Sequence, residues 1–232
     1  AMIIVHADDK GLVIPPIVAQ EQVVVVPIIK KSDNEAQILD YAYDIMKKLK
    51  AVGVRTTIDD REGKNPGNKF NHWEMRGIPL RLEIGGQEVT KSEIRYAKRN
   101  DGVKGNFPLK DLVTGIQDLL ANIHTEMYQK ALDARLQHQK EVYDWKTFMA
   151  EIMQRNICLT PWCGIRACEC AVNDKSKEES EVALQDDENE TLLTGAAKTL
   201  CIPDEQKPLP KDCKCFHCGK EATKWAVWGR TF

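Results

Sequence analysis

The stretch Gln22-Val23-Val24-Val25-Val26-Pro27 decides the fold of the first half of this chain. Four β-branched residues without polar alternation describe a strand buried on both faces, as in a sheet covered by helices on each side. Outward from it, Ser32 or Asp33 can cap a helix whose first turn holds Glu35 or Ala36. Ile38, Ala42, Ile45, Met46 and Leu49 recur at helical spacing until Gly53 stops the run. Residues 54–58 read as a second strand, Pro66-Gly67 as a turn, and residues 69–76 as a short helix closed by Gly77. Leu80-Arg81-Leu82-Glu83-Ile84 alternates strictly, giving a third strand one apolar and one polar face. Gly85-Gly86 turns the chain and residues 93–99 form a fourth strand. Pro108 opens a long helix with Leu109, Leu112, Ile116, Leu119, Leu120 and Ile123 on one side. The order β-α-β-α-β-β-α predicts a three-layer α/β/α domain with a mainly parallel sheet over residues 20–125.

Residues 126–140 continue as a polar helix, and Trp145, Phe148, Met149 and Ile152 fit another amphipathic one. A second, smaller α+β domain is expected over residues 126–232. Within it, residues 172–190 carry eight acidic side chains against two lysines and no aromatic, which reads as a mobile acidic loop. The whole chain has 232 residues, 42% hydrophobic and 29% charged, which suits one or two folded domains and argues against disorder as the dominant state. Its longest apolar run, residues 23–29, includes Pro27 and falls far short of the roughly 20 residues of a membrane helix. No basic segment followed by a long apolar stretch opens the chain, so no secretory signal is expected, and a cytoplasmic location is. A net charge of −2 means that any nucleic-acid binding must rest on a local patch.

All eight cysteines, Cys158, Cys163, Cys168, Cys170, Cys201, Cys213, Cys215 and Cys218, lie in the last third. A secreted disulfide scaffold spreads its cysteines through a short chain; clustering in one segment of a chain expected to be cytosolic favours metal. Zn²⁺ takes four soft donors at tetrahedral corners, typically two from each of two turns. Cys215 and Cys218, a CxxC followed by glycine, are the preferred second pair, and Cys163 and Cys168, a C-x4-C, the preferred first. Cys170, Cys213 and His217 are reserves, and ordinary free cysteines are the simpler alternative. Cys158 and Cys201 sit beside apolar residues and are expected to pack as thiols. No cysteine has the separate activating base that a nucleophile needs.

A second constellation runs from Asp59 to Arg81. Phe70 and Glu74 are i,i+4 partners on one helix face, and Arg81 stands on the polar side of the third strand. An aromatic plane, a carboxylate and a guanidinium together suit splayed RNA bases, which stack on aromatics and pair through their edges. A carboxylate accepts from the amino edge of guanine and an arginine donates to its O6 and N7. Residues 61–110 hold eleven basic against six acidic residues, the local patch that the overall charge conceals. From pattern alone, a solvated helix with a surface salt bridge, Phe70 or Trp73 serving the core, explains the same residues. Asp59-Asp60 reads as a strand-end cap rather than a metal pair. No dinucleotide, P-loop, zinc-protease or nucleophile-elbow motif occurs.

Asp59-Asp-Arg and Asn65-Pro-Gly-Asn-Lys-Phe-Asn-His-Trp-Glu-Met-Arg-Gly-Ile-Pro-Leu-Arg-Leu-Glu-Ile-Gly85 together resemble the anticodon-binding domain of the prolyl-tRNA synthetases. Gly11-Leu-Val-Ile-Pro-Pro16, followed by the valine strand, resembles the junction with their class II catalytic domain. The stretch from Gly195 to Pro203 and the ending from Lys224 to Phe232 resemble the extra C-terminal zinc domain of the eukaryotic and archaeal type. The resemblance implies that residues 1–19 are a junction remnant, that residues 20–125 recognise the anticodon of proline tRNA, whose second and third bases are guanines, and that residues 126–232 bind a structural zinc ion. It gives Phe70, Glu74 and Arg81 the base contacts and matches Cys163, Cys168 and Cys218 to zinc ligands, with Cys215 as the fourth. Lys69 and Lys104 are expected at the RNA backbone from their charge. The chain departs from the family in ending on Phe232 rather than tyrosine and in having Ile17 where arginine is common. The implied whole enzyme is an ATP-dependent proline–tRNA ligase, a homodimer through its catalytic domain, with this chain inactive by itself and with no membrane or DNA partner. The alternatives are a stand-alone protein-interaction scaffold and a cysteine-based enzyme.

Overall fold

A computed structural model describes residues 2–184 and 196–230, and the chain divides into two compact units, Ala1–Leu132 and Asp133–Phe232. The first unit opens with a short helix, α1 (Met2–His6), where a remnant strand would suit the junction reading. It continues through β1 (Val23–Ile28), α2 (Glu35–Ala51), β2 (Thr56–Ile58), α3 (Pro66–Met75), β3 (Leu80–Gly85), α4 (Gly86–Lys91), β4 (Glu93–Lys98), β5 (Lys104–Pro108) and most of α5 (Leu112–His138), the helix that spans the division at Leu132. The sheet order is β2-β1-β3-β4-β5.

The expectation of a mainly parallel sheet is incorrect. β1 runs parallel to β2 and β3, but β3–β4 and β4–β5 are antiparallel. The cause is connection length. The α2 and α3 crossovers are long enough to return the chain in the same direction, whereas one helical turn and a five-residue loop can only reverse it. β5 itself is unexpected, because Lys-Gly-Asn-Phe-Pro has little β character, and Pro108 ends this strand instead of opening the helix. A single 3₁₀ turn, Leu109–Asp111, separates it from α5. Asn34, one residue beyond the expected caps, closes the start of α2. Pro66 occupies the first turn of α3 behind the Asn65 cap, whose side chain accepts from the Asn68 amide.

Val23 to Val26 are all fully buried, as their sequence requires. Val23, Val25, Leu80, Leu82 and Ile84 share one core with Ile38, Ala42, Ile45 and Leu49 of α2 and Ile116, Leu120 and Ile123 of α5. The polar face of β3, in register with Val24 and Val26, is the side covered by α3. Gly77 follows α3 with φ +72°, and a Cβ there would stand 2.6 Å from the Leu12 carbonyl, so only glycine lets residues 11–14 lie along the end of this helix. That segment is fastened by Leu12 donating to Met75 and Ile14 to Gly77.

The second unit contains β6 (Gln139–Glu141), α6 (Trp145–Met153), β7 (Ile157–Trp162), α7 (Arg166–Leu184), β8 (Ala197–Cys201) and β9 (Lys224–Arg230), with sheet order β6-β7-β9-β8. One pair is parallel and two are antiparallel. Phe148, Ile152, Val172, Phe216 and Trp228 form its core. Where an acidic loop was expected over residues 172–190, residues 172–184 continue α7; residues 185–190 lie outside the described residues. The charges are spaced for a helix: Lys175 and Glu179, and Lys177 and Glu181, are i,i+4 pairs. Val172, Ser176 and Ser180, also four apart, form its buried face, and the Ser176 hydroxyl accepts from the Ala197 amide at 2.9 Å. Among the described residues, no helix is long and apolar enough to cross a membrane.

Candidate nucleic-acid interface and metal centre

Phe70 and Glu74 stand one turn apart on α3, facing the polar side of β3. The Arg81 guanidinium carbon lies over the Phe70 ring, 4.1 Å from its centroid. Arg81 donates from Nε and Nη2 to Glu83 Oε1 at 3.1 and 2.9 Å. Glu83 is itself buried, and its other oxygen takes Arg95 Nε at 3.4 Å from the adjacent strand. The ion pair of Arg81 is thus with Glu83, two residues on. Glu74 is half-buried, with Lys10 at 3.6 Å from its carboxylate.

A cavity of about 260 Å³ gathers Glu74, Arg81 and Lys104 with Lys10, Trp73 and Lys98. It is smaller than the roughly 300–1,000 Å³ of ordinary small-molecule sites, as suits one flat group entering from outside. Its cations are not equivalent. Lys98 is held by Asp101 and Glu126 at 2.7 Å each, and Arg99, at the same site, is held by Asp8. Lys104 is exposed, and among the described residues no ion pair engages it.

Lys69 differs from its expected place. It is 6% exposed and its ammonium donates to the Asp59 backbone carbonyl at 2.9 Å, so it faces inward rather than toward a phosphate. Asp59 is the anchor that holds α3 to the end of β2. Its fully buried carboxylate accepts two bonds from Arg61, at 2.8 and 2.7 Å, and one from Trp73 Nε1 at 2.7 Å. Burial alone would raise its pKa, but these donors outweigh that and hold the carboxyl below the usual range. Sequence reasoning missed Glu83 and the anchoring role of Asp59. The signal for Glu83 was present, since strict alternation puts it on the same face as Arg81.

The metal centre is assembled from two turns. Cys163 follows β7 directly, Gly164 with φ +74° swings the chain into α7, and Cys168 lies in the first turn of that helix. Cys215 and Cys218 form the second turn, closed by Gly219 at φ +68°, with Gly219 donating to the Cys215 carbonyl and the Cys215 amide to Lys220. Phe216 N donates to Pro161 O, which fastens this turn to β7. The four sulfurs lie within 4.8 Å of one another. Cys168 and Cys215 are 3.8 Å apart, and Cys163 and Cys218 3.7 Å. A tetrahedral ion with Zn–S bonds of about 2.3 Å spaces its sulfurs about 3.8 Å apart, so the donor set fits Zn²⁺ in kind and in size. No disulfide joins them. Burial pushes the Cys163 and Cys168 thiols up, a cost that a bound divalent cation reverses.

The reserves stay outside this group. Cys170 is exposed and Cys213 half-buried. His217 Nδ1 is 3.6 Å from Cys168 Sγ, with its ring edge-on to Trp145. Cys158 packs in the core, its thiol pushed up to about 12 by burial. Cys201 is exposed, contrary to expectation, because it ends the edge strand β8.

Two family models match the chain: the anticodon binding domain over residues 22–119, and the C-terminal domain of prolyl-tRNA synthetase over residues 145–232. Over all its residues the chain is 38% identical to a cytoplasmic proline–tRNA ligase of Arabidopsis thaliana, of which it covers 41%. It is 34% identical to a proline–tRNA ligase of Encephalitozoon cuniculi, with 98% of the chain and 45% of that protein aligned. It is 32% identical to one of Haloquadratum walsbyi over 100% of the chain and 47% of that protein. The chain therefore spans less than half the length of these relatives.

Proposed function

Because this chain belongs to the prolyl-tRNA synthetase family, carrying its anticodon-binding and C-terminal domains, we propose that it holds proline tRNA by the anticodon and keeps its second unit folded around a structural zinc ion. The observation that carries the reading is the cavity that joins Glu74, Arg81 and Lys104 beside the Phe70–Arg81 stack. In this site a splayed base stacks against the aromatic and guanidinium layer. The Glu74 carboxylate accepts from a guanine amino edge, and the Arg81 donors left free by Glu83 reach O6 and N7. Lys104 lies at the mouth to meet a phosphate. Lys69 acts only by holding the β2–α3 junction.

Cys163, Cys168, Cys215 and Cys218 would hold the zinc. Bound there, the ion supplies a closed four-thiolate sphere with no position for water or substrate, so its part is structural. The whole ligase, with ATP and a homodimer interface in its catalytic domain and a cytoplasmic location, belongs to the same reading, and this chain alone is inactive in it.

Binding of proline-tRNA transcripts, native or with the second or third anticodon guanine replaced, tests the function. Selective loss with the replaced transcripts, and affinity that falls as salt rises, are expected. Equal binding to all transcripts would defeat the anticodon reading, and proline-dependent ATP–pyrophosphate exchange by this chain would defeat its inactivity.

A further inference from the structure

Glu83 has no place in the contacts proposed above, yet it governs the group that makes them. It is a buried carboxylate paired with Arg81, a residue of the site that should read RNA, where an uncompensated negative charge would repel the phosphate backbone. Two arginines neutralise it from different directions. Arg81, its i,i+2 neighbour on β3, donates from Nε and Nη2 to one oxygen, and Arg95, its cross-strand partner on β4, forms an ion pair with the other through Nε at 3.4 Å. The bond to Arg81 fixes more than charge. With Nε and the near side of Nη2 committed and the guanidinium carbon over the Phe70 ring at 4.1 Å, the group loses rotation about its last bonds. The outer hydrogens of Nη1 and Nη2 are left to form a parallel end-on fork.

We propose that Glu83 is a positioning residue for guanine discrimination: by holding the Nε/Nη2 edge of Arg81 over Phe70 it selects the Nη1/Nη2 edge as the one that reads the base. The inference rests on the anticodon reading and adds to it the residue that sets the donor geometry. An unheld arginine would rotate, offer the Nε/Nη2 edge as readily, and pay rotamer entropy on binding. It would still attract RNA by charge. Removing Glu83 should therefore damage base choice more than affinity.

The test uses the chain with Glu83→Gln, which keeps the shape but not the charge, and Glu83→Asp, which keeps the charge but withdraws it by one methylene. Each variant, with Arg81→Ala and Arg95→Ala, is titrated with native and guanine-replaced proline-tRNA transcripts. We expect both Glu83 variants to lower the preference for guanine at one anticodon position by about tenfold, within the span of a single bidentate base contact, while binding to the replaced transcript stays nearly constant. Arg95→Ala, which leaves the Arg81 pair intact, should keep the preference. Rescue of selectivity by neither Glu83 variant, with folding verified by the thermal unfolding profile, supports the proposal. Should one variant fail to fold, the other carries the comparison. If neither folds, ¹⁵N spectra of the native chain decide, an Arg81 Nε–H that exchanges as fast as that of an exposed arginine overturning the proposal and a protected one supporting it. Undiminished preference in a folded Glu83 variant, with Arg81→Ala losing it, also overturns the proposal while sparing the anticodon reading. Absence of any guanine preference in the native chain removes both.

Discussion

Arg81 is held on two sides, by Phe70 against its guanidinium and Glu83 beside it, and it lines the cavity, which makes its substitution informative. Arg81→Ala should weaken binding of proline tRNA by about 1–3 kcal/mol, the range for a good bidentate base contact, and the loss should shrink when the contacted guanine is replaced. Phe70→Ala should cost about 1–3 kcal/mol with less base selectivity, because every base has a face to stack. Titration by fluorescence anisotropy checks both. The two lysines should separate cleanly. Lys104→Ala should lower affinity for all tRNAs and reduce the salt slope by about one, the signature of a phosphate contact. Lys69→Met should leave that slope unchanged and cost about 1–3 kcal/mol of stability in urea unfolding, because it removes a charged donor from a buried carbonyl.

α3 shows how one element serves fold and site together. Lys69 and Trp73 bind Asp59, which sets the helix against the sheet, while from the same ten residues Glu74 lines the cavity and Phe70 lies under the Arg81 guanidinium. The arrangement has a pH consequence. Hydrogen bonds from Arg61 and Trp73 to Asp59, acting against burial, and from Arg99 to Asp8 hold these carboxyls below their ordinary range. A lowered folded pKa contributes stability above the unfolded value of about 3.9 and loses it as pH falls through the folded one. These two carboxylates should therefore make the first unit lose stability below about pH 4, read from the unfolding midpoint of residues 1–132 by hydrogen exchange. In the second unit, the turn carrying Cys215 and Cys218 is fixed by its glycine and by the Phe216 bond to β7. Cys215→Ser should abolish stoichiometric zinc, whereas Cys170→Ser and Cys213→Ser should retain it, as measured by elemental analysis of the purified chain. Full zinc in Cys215→Ser would contradict the four-thiolate assignment.

Across the whole molecule, the two units have different sources of stability. Residues 1–132 bury a continuous aliphatic core of valine, isoleucine and leucine. The second unit is smaller and rests on a cluster of aromatics beside the cysteines, with Phe148, Phe216 and Trp228 in mutual contact. For a domain of this kind metal-binding free energy is folding free energy. A strong chelator should raise exchange across residues 133–184 and 196–230 while leaving residues 20–125 protected. Equal loss of protection in both units, or none in the second, would refute the separation.

What the chain determined by itself was whatever depends on neighbours in sequence. The valine run specified a doubly buried strand, the 3.6-residue spacing specified α2 and α5, and the spacing of the two cysteine turns singled out the four sulfurs that converge. Periodicity likewise set Phe70 and Glu74 on one face of α3 and Arg81 on the polar face of β3, whereas the choice of their joint role at RNA came from the family resemblance alone. Tertiary structure alone decided the partners. β5 is a strand because β4 offers it an edge, and the sheet is mixed because its last connections are too short to cross over. Lys69 turns inward because the Asp59 carbonyl is there to receive it, and the acidic stretch over residues 172–184 is helical because β8 covers its serine face. Arg81 is held by Glu83 rather than by the Asp59 side chain because the latter is already filled by Arg61 and Trp73. Charge and periodicity say what a residue can bind; only packing decides which partner reaches it first, because a buried donor or acceptor must be satisfied by whatever the fold brings alongside.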